Sequence, residues 1–350
     1  MFYERFLKES ILKMSYYYNQ LNKNQQKAYY AMKVGLESLA PSFPVPRLEH
    51  RELADLYFLL RLDHPEIFFS VNFKYRYYED SENIEMIPEY LFQKSKIMDH
   101  QKAMDARVKK LARQAEGMSE KEKELFIHDF ICQNIHYDKL KKPYSHEIIG
   151  PLGHGVGVCE GIAKSVKILC DALGIWCMIA ISEANPEKKI KYRHAWNILR
   201  IGGRYYHLDA TFDNSLGHKE TIRYDYFNLS DSQIFRDHEP VIWKIPKCDD
   251  GEHTYYREKK ISFTKYEDVR KRAAQAVKKR KVFLFQWRGG YLTKDVLKEL
   301  LQIVNEEAQK KQKYAYLSVN WSQSVLQAAF KEQLIEHQVV MEEANEGESL

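Results

Sequence analysis

A glycine-rich segment that opens a helix is the feature of this sequence that most constrains its fold. It begins at Gly153 and reads GHGVGVCEGIAKSVKILCDALGI. Its glycines allow unusual backbone angles and close approach of other chain segments. From Cys159 to Leu173 apolar residues recur at helical spacing, and Gly174 follows as a helix stop. The pattern predicts a helix with Cys159 in its first turn, where the helix dipole favours the nucleophilic thiolate.

A histidine and an aspartate follow on either side of a Gly-Gly pair, in RHAWNILRIGGRYYHLDATF. We interpret this stretch as two strands joined by Gly202-Gly203. A two-residue turn would place His194 and Asp209 on one face, with backbones roughly 7–8 Å apart and side chains within hydrogen-bonding reach. Trp196 and Thr211 would share that face. A three-residue loop would instead put the histidine and the aspartate on opposite faces.

Structural roles compete with this interpretation. Cys159 also fits as the first buried residue of an amphipathic helix, since cysteines outside disulfides are often buried. A single histidine in a strand is more often structural than catalytic. His207 competes with His194 because it shares the predicted face with Asp209. The combination of a glycine-rich entry, a cysteine at a helix start and paired strands with these residues favours a catalytic triad of Cys159, His194 and Asp209.

Three motifs resemble the bacterial transglutaminase-like superfamily, a branch of the papain-like cysteine enzymes: GVCEGIAKSVKILCDALGI, HAWNILRIGGRYYHLDATF and YFNLSD. The resemblance covers about residues 100–250 and implies that Cys159 is the nucleophile, His194 the base and Asp209 the orienting acid. That family includes transglutaminases, peptidases, other amide-cleaving enzymes and inactive members. The expected function is acyl transfer or hydrolysis on a protein or peptide amide. The alternative is a catalytically silent binding or scaffold module.

Cysteine acyl transfer also requires hydrogen-bond donors for the developing oxyanion. The backbone N–H of Cys159 is the natural first donor. Asn134, Tyr137 and His154 are alternatives for the second donor, and the sequence does not choose among them.

Composition argues against several classes of partner. The chain has 54 basic and 49 acidic residues, a mixed surface that does not favour nucleic acid. No apolar run approaches the length of a membrane span, and the N-terminal residues lack the apolar segment of a signal peptide. The five cysteines show no zinc spacing, so we expect thiols in a reducing cytoplasm. No metal or other cofactor is expected, and the sequence gives no oligomeric state.

We expect an α+β protein with three regions. Residues 1–100 form a helix and strand extension, 101–250 a papain-like transglutaminase catalytic domain, and 255–350 a small α/β domain. Expected helices span 15–40, 50–62 and 92–115, and a capping box at Ser119 opens another to about residue 133. Strands are expected at 67–78, 83–87 and 175–182. In the last region, strands at ISFT, KVFLFQW and KYAYLSVNW alternate with helices at 266–279 and 292–312, and a helix and the strand HQVVME follow.

Overall fold

The computed structural model describes residues 15–217 and 221–332. It mixes helices and strands, so the predicted α+β class is confirmed. The chain divides into two compact units, which are described separately below. The first comprises residues 1–181 and 194–204, and the second comprises 182–193 and 205–350. The three-region division expected from the sequence stays a prediction.

The first unit contains five α-helices in its described part. They are α1 (Lys23–Glu37), α2 (His50–Asp63), α3 (Lys94–Gln114), α4 (Glu120–Asn134) and α5 (Cys159–Leu173). Its strands are β1 (Phe43–Pro46), β2 (Ser70–Arg76), β3 (Asn83–Tyr90), β4 (His136–Tyr137), β5 (Val156–Gly157), β6 (Cys177–Ser182, whose last residue belongs to the second unit) and β7 (His194–Ile201). Short helical turns span Tyr18–Gln20, Pro143–His146 and Ile149–His154.

Local sequence signals account for the helix bounds. The Ser119 side chain accepts a hydrogen bond from the Glu122 N–H, and the predicted capping box is present at the start of α4. Asn22 and Gln25 form a second box, so α1 begins at Lys23 rather than near residue 15 as expected. The strands β1, β3 and β2 form an antiparallel sheet in that order, and β2 and β3 overlap two of the strands expected from the sequence.

The helix α5 is the buried helix of the first unit, and its predicted bounds are confirmed. It packs against α3, α4 and β7. Buried residues occur around most of its circumference, including Lys164 and Lys167. A helix that is buried nearly all round lies in a core rather than on a surface. Gly174 ends it with φ 75, the left-handed conformation that glycine adopts at little cost.

The second unit carries its own elements. The helices are α6 (Ala210–Leu216), α7 (Asp231–Ile234), α8 (Tyr255–Glu258), α9 (Tyr266–Lys278) and α10 (Lys294–Gln309). The strands are β8 (Arg204–Leu208, whose first residue belongs to the first unit), β9 (Phe227–Leu229), β10 (Ser262–Phe263), β11 (Phe283–Trp287), β12 (Tyr314–Asn320) and β13 (Val325–Lys331). Within residues 15–217 and 221–332, no helix is long and apolar enough to cross a membrane.

The α/β region near the C-terminus forms a four-stranded sheet in the order β10-β11-β13-β12. The first pair is parallel and the others are antiparallel. Its core combines Phe285 and Leu326 of the sheet with Val269, Ala273 and Leu300 of the two helices.

One expectation for this region is wrong. The stretch after β12, expected to be helical, contains the strand β13, which pairs with both β11 and β12. In this position Leu326 and Ala328 are fully buried, so the non-local pairing outweighs local helix propensity. The predicted strand HQVVME lies outside the described residues.

Candidate active site

Cys159 is the first residue of α5, as predicted. The glycine-rich segment before it is anchored by parallel pairing of β4 with β5, and Gly155 adopts φ 69. The Val158 N–H donates to the Ser145 carbonyl at 3.0 Å, and a side chain at Gly161 would collide with that same carbonyl. The helix start therefore packs directly against the segment Pro143–His146. The cysteine itself is only 8% exposed.

Buried ion pairs surround the residue that follows the cysteine. Lys164 Nζ lies 2.7 Å from Glu160 Oε1 and 2.8 Å from Glu147 Oε1. Arg61 pairs with Glu147, and His146 Nδ1 lies 3.3 Å from Glu160 Oε2. Burial alone would raise the pKa of Glu160, but Lys164, His146 and Arg61 together hold it below its ordinary value. Two positive and two negative side chains thus fix the start of α5 to α2 and to residues 146–147.

His194 is the first residue of β7 and is half-buried. Its ring stacks on Trp196, with ring centroids 5.7 Å apart and an interplanar angle of 18°. The two residues share a face of the strand, as their spacing predicts. Trp196 is fully buried, so it gives the imidazole one fixed wall.

The turn after β7 is the predicted two-residue turn. Gly202 and Gly203 connect β7 directly to β8, and their φ angles are 57 and 81. Positive φ at both positions is the signature of the type I′ turn, which favours glycine. The Gly202 N–H also donates to Glu120 Oε2 at 2.8 Å.

Asp209 does not lie on a strand, and this corrects the prediction. The strand β8 ends at Leu208, and Asp209 caps the N-terminus of α6. Its Oδ1 accepts the N–H groups of Thr211 and Phe212 at 2.8 and 3.0 Å. Thr211, expected on the same strand face, is in the helix. Aspartate is a preferred N-cap because its carboxylate satisfies N–H groups that have no partner within the helix.

His207, the competing histidine, is fully buried and held elsewhere. Its Nε2 lies 2.8 Å from Asp231 Oδ1, and the Cys248 N–H donates to Asp231 Oδ2 at 3.2 Å. Burial lowers the pKa of His207, although Asp231 opposes this. The ligand atoms of His207, Asp231 and Cys248 lie within 4.8 Å of one another, a spacing that could hold a metal ion. The hydrogen bonds already account for this arrangement, because a metal would have to replace the proton between histidine and aspartate.

Comparison with known protein families finds a match for the segment that contains Cys159, His194 and Asp209. The sequence profile of the transglutaminase-like superfamily matches residues 108–210. This part of the chain is therefore similar to that superfamily. The resemblance inferred from the motifs is confirmed over these residues.

Comparison with solved structures gives weaker likenesses. A TGase crystal structure aligns with TM-score 0.28 and 13% identity, covering 41% of this chain and 44% of that one. A candidate cysteine protease from Cytophaga hutchinsonii aligns with TM-score 0.27 and 18% identity, covering 40% and 62%. A candidate protease from Parabacteroides distasonis aligns with TM-score 0.25 and 14% identity, covering 41% and 37%. The chain thus spans less than two thirds of each structure. No curated protein matches it.

The transglutaminase-like segment carries the candidate nucleophile and base in the first unit and the candidate acid in the second. Their assembly into one triad stays a prediction, as does the second oxyanion donor. Among the donor candidates, the Asn134 amide donates to the Phe130 carbonyl at 2.8 Å. The His154 ring packs against the Tyr144 ring, with centroids 4.9 Å apart.

The sequence interpretation missed His238. Its Nε2 lies 2.9 Å from Asp209 Oδ2, and its Nδ1 lies 2.9 Å from Asp237 Oδ1. The side chain is 1% exposed. The only signal in the sequence is an Asp-His pair shortly after the YFNLSD motif, and no spacing rule links it to Asp209. The ion pairs of Arg61, Glu147 and Lys164 were also missed, because no spacing rule links residues that lie so far apart in the sequence.

Proposed function

We propose that this protein catalyses thiol-dependent acyl transfer or hydrolysis on an amide of a protein or peptide. Cys159 is the nucleophile, His194 the general base and Asp209 the acid that orients the imidazole. The observation that carries the proposal is the position of Cys159 at the first residue of a buried helix, within the segment that matches the transglutaminase-like superfamily. Its protein or peptide partner and a cytoplasmic location remain expectations from the sequence.

The proposed reaction has two halves. The Cys159 thiolate attacks the amide carbonyl, and the oxyanion accepts hydrogen bonds that include the N–H of Cys159 itself. That N–H, at the first helical position, has no acceptor within the helix. His194 then gives its proton to the departing amine, which leaves a thioester on Cys159. Water or a second amine, deprotonated by His194, attacks the thioester and restores the thiol. Water as acceptor gives hydrolysis, and an amine gives a new amide.

Asp209 suits its proposed role because hydrogen bonds already fix the conformation of its carboxylate. Two backbone N–H groups bind Oδ1 and His238 binds Oδ2. An acid of fixed orientation can hold the imidazole in one tautomer and stabilise the imidazolium during catalysis.

The low exposure of Cys159 favours a second candidate, a catalytically silent module that uses the fold to bind or scaffold another protein. At 8% exposure the thiol has little surface for an incoming carbonyl. The two candidates differ in thiol reactivity, which can be measured without knowing the natural substrate.

The test is alkylation of the folded chain by iodoacetamide at about pH 6, where an unperturbed thiol with a pKa near 8.5 is hardly ionised. Mass spectrometry quantifies the rate at each of the five cysteines. Active-site chemistry requires that Cys159 reacts at least about tenfold faster than any other cysteine, because only it combines a helix N-terminus with a proposed imidazolium partner. Fluorescein-casein hydrolysis and dansylcadaverine incorporation into casein then separate the two reaction types.

Cys132 gives a matched control, since its Sγ lies 3.6 Å from His128 Nε2 on the same helix. Cys132→Ala should leave both casein activities unchanged, whereas Cys159→Ala should remove them. Equal alkylation of Cys159 and Cys132 in the wild type, without casein turnover, would favour the silent module.

A further inference from the structure

His238 lies between the buried carboxylate of Asp209 and the partly buried carboxylate of Asp237. One ring nitrogen is 2.9 Å from Asp209 Oδ2, and the other is 2.9 Å from Asp237 Oδ1. The Phe212 and Tyr226 rings pack against the imidazole at centroid distances of 4.5 and 5.5 Å. Packing and hydrogen bonds therefore fix both the position and the plane of the ring.

Hydrogen-bond stoichiometry defines the charge that suits this position. A neutral imidazole has one N–H and can donate to only one of the two carboxylates. The imidazolium donates to both, and it offsets the cost of burying their charges. His238 thus holds Asp209 Oδ2, whereas the backbone N–H groups of Thr211 and Phe212 hold Oδ1.

The hydrogen bonds continue from Asp237 into the α/β region. The Tyr226 hydroxyl donates to Asp237 Oδ2 at 2.7 Å, and the Asn320 amide donates to the Tyr226 hydroxyl at 3.2 Å. The same amide lies 3.0 Å from Asp225 Oδ2. Asn320 is the last residue of β12 and is buried. A continuous chain of hydrogen bonds thus links the turn after β12 to Asp209.

We propose that His238 is a positioning residue for Asp209, and that Tyr226 and Asn320 extend this support to the C-terminal α/β region. The inference rests on the proposed function, because it assigns His238 a role only if Asp209 serves a triad. It gives the α/β region a part in catalysis that its fold alone does not indicate.

Two amide substitutions at His238 distinguish the roles of its two ring nitrogens. The amide nitrogen of Gln can occupy the position of Nε2 and donate to Asp209, whereas that of Asn corresponds to Nδ1 and reaches Asp237. In the full chain, His238→Gln should keep the iodoacetamide rate of Cys159 at about pH 6 within about threefold of wild type. His238→Asn should lower it about tenfold, the effect of one hydrogen bond to a charged group. At about pH 9.5 the three proteins should react alike, because the thiol ionises there without help from an imidazolium.

Asn320 and Gln323 provide a second matched pair, at the other end of the series of hydrogen bonds that leads to Asp209. Gln323 is also a buried amide of the turn, but it donates to the Gln233 carbonyl at 3.2 Å and not to Tyr226. Asn320→Ala should lower the rate of Cys159 at about pH 6 roughly threefold, since it acts on Asp209 only through Tyr226, Asp237 and His238, and Gln323→Ala should not change it.

Each outcome decides between the proposals. If wild-type Cys159 reacts no faster than Cys132 at about pH 6, the proposed function and this inference both fail. If Cys159 is selective but the Gln and Asn variants of His238 behave alike, only the role of His238 is overturned. Should His238→Asn fail to fold, the Asn320 and Gln323 variants decide, and equal losses in those two would refute the link to the α/β region.

Discussion

Four charged side chains from three separate segments meet beside the start of α5, whereas Asp209 is held by two neighbouring backbone N–H groups and one histidine. Beside the start of α5, Lys164 and Glu147 are fully buried, and long-range ion pairs compensate their charges. At Asp209, the support for Oδ1 comes from residues two and three positions along the chain. The candidate nucleophile therefore depends on the tertiary fold around it, and the candidate acid depends first on a local helix cap.

Substitutions at the two sites should therefore have different effects. Removing one partner of a buried ion pair leaves an uncompensated charge, so substitutions in the ion pairs beside α5 should act mainly on folding. A neutral amide can still accept the two backbone hydrogen bonds at Asp209. Changes there should act mainly on the proposed chemistry, and the predictions below test this contrast.

The largest expected effect is that of Asp209→Asn on turnover. The amide keeps the helix cap but favours the wrong imidazole tautomer, and by analogy with the serine triad it should lower the rate by about 10⁴. The measurement is hydrolysis of labelled casein or incorporation of dansylcadaverine, together with thermal unfolding to show that the variant is folded. Asp213→Asn is the matched control. Asp213 Oδ1 accepts the Asp225 and Tyr226 N–H groups, which an amide oxygen can also do, so this variant should stay active.

The next effect is on folding, at Glu147. Glu147→Ala leaves Arg61 and Lys164 without this shared carboxylate, and we expect the free energy of unfolding to fall by about 3–5 kcal/mol. Urea denaturation measures the change. The exposed pair of Asp105 and Lys109, 2.7 Å apart, provides the control, and Asp105→Ala should cost less than about 0.5 kcal/mol. Equal losses at the two sites would show that the buried ion pairs do not stabilise the first unit as argued.

The sequence predicted the parts of the site that depend on local rules. The bounds of α5 follow from apolar spacing and Gly174, and the turn at Gly202-Gly203 follows from the need for positive φ. The capping box at Ser119 is a similar case. The cap at Asp209 was missed although its signal is also local, because alternation through YYHLDATF suggested a strand that continued past Leu208.

Non-local partners could not be predicted in the same way. His238 meets Asp209 across 29 positions of sequence, and Arg61 meets Glu147 across 86. Periodicity and caps report which face of an element is buried, but they do not report which distant side chain will lie beside it. The strand β13 was likewise missed because its place between β11 and β12 depends on the sheet rather than on its own residues.

The smallest expected effect is a difference in acid sensitivity between the two regions. Burial lowers the pKa of His207 below its ordinary value of 6.5, so the unfolded chain binds this proton more readily. The stability that the neutral ring contributes is present above about pH 6.5 and is lost as the pH falls through its lower folded pKa. For Glu160, whose pKa lies below its ordinary value of 4.5, the contribution is present above that value and is lost only below it.

Acidification from about pH 7 to about pH 5 should therefore weaken the protein through His207 and not through Glu160. We expect His207→Gln to flatten the dependence of unfolding free energy on pH in that interval, whatever stability it loses at neutral pH. Glu160→Gln should leave the slope in that interval as it is in the wild type, and it should reduce the slope below about pH 4.5. Urea denaturation at a series of pH values gives both slopes. A change of slope between about pH 7 and about pH 5 in the Glu160 variant alone would mean that the ion pairs beside Cys159, and not the histidine of the second unit, respond first to acid.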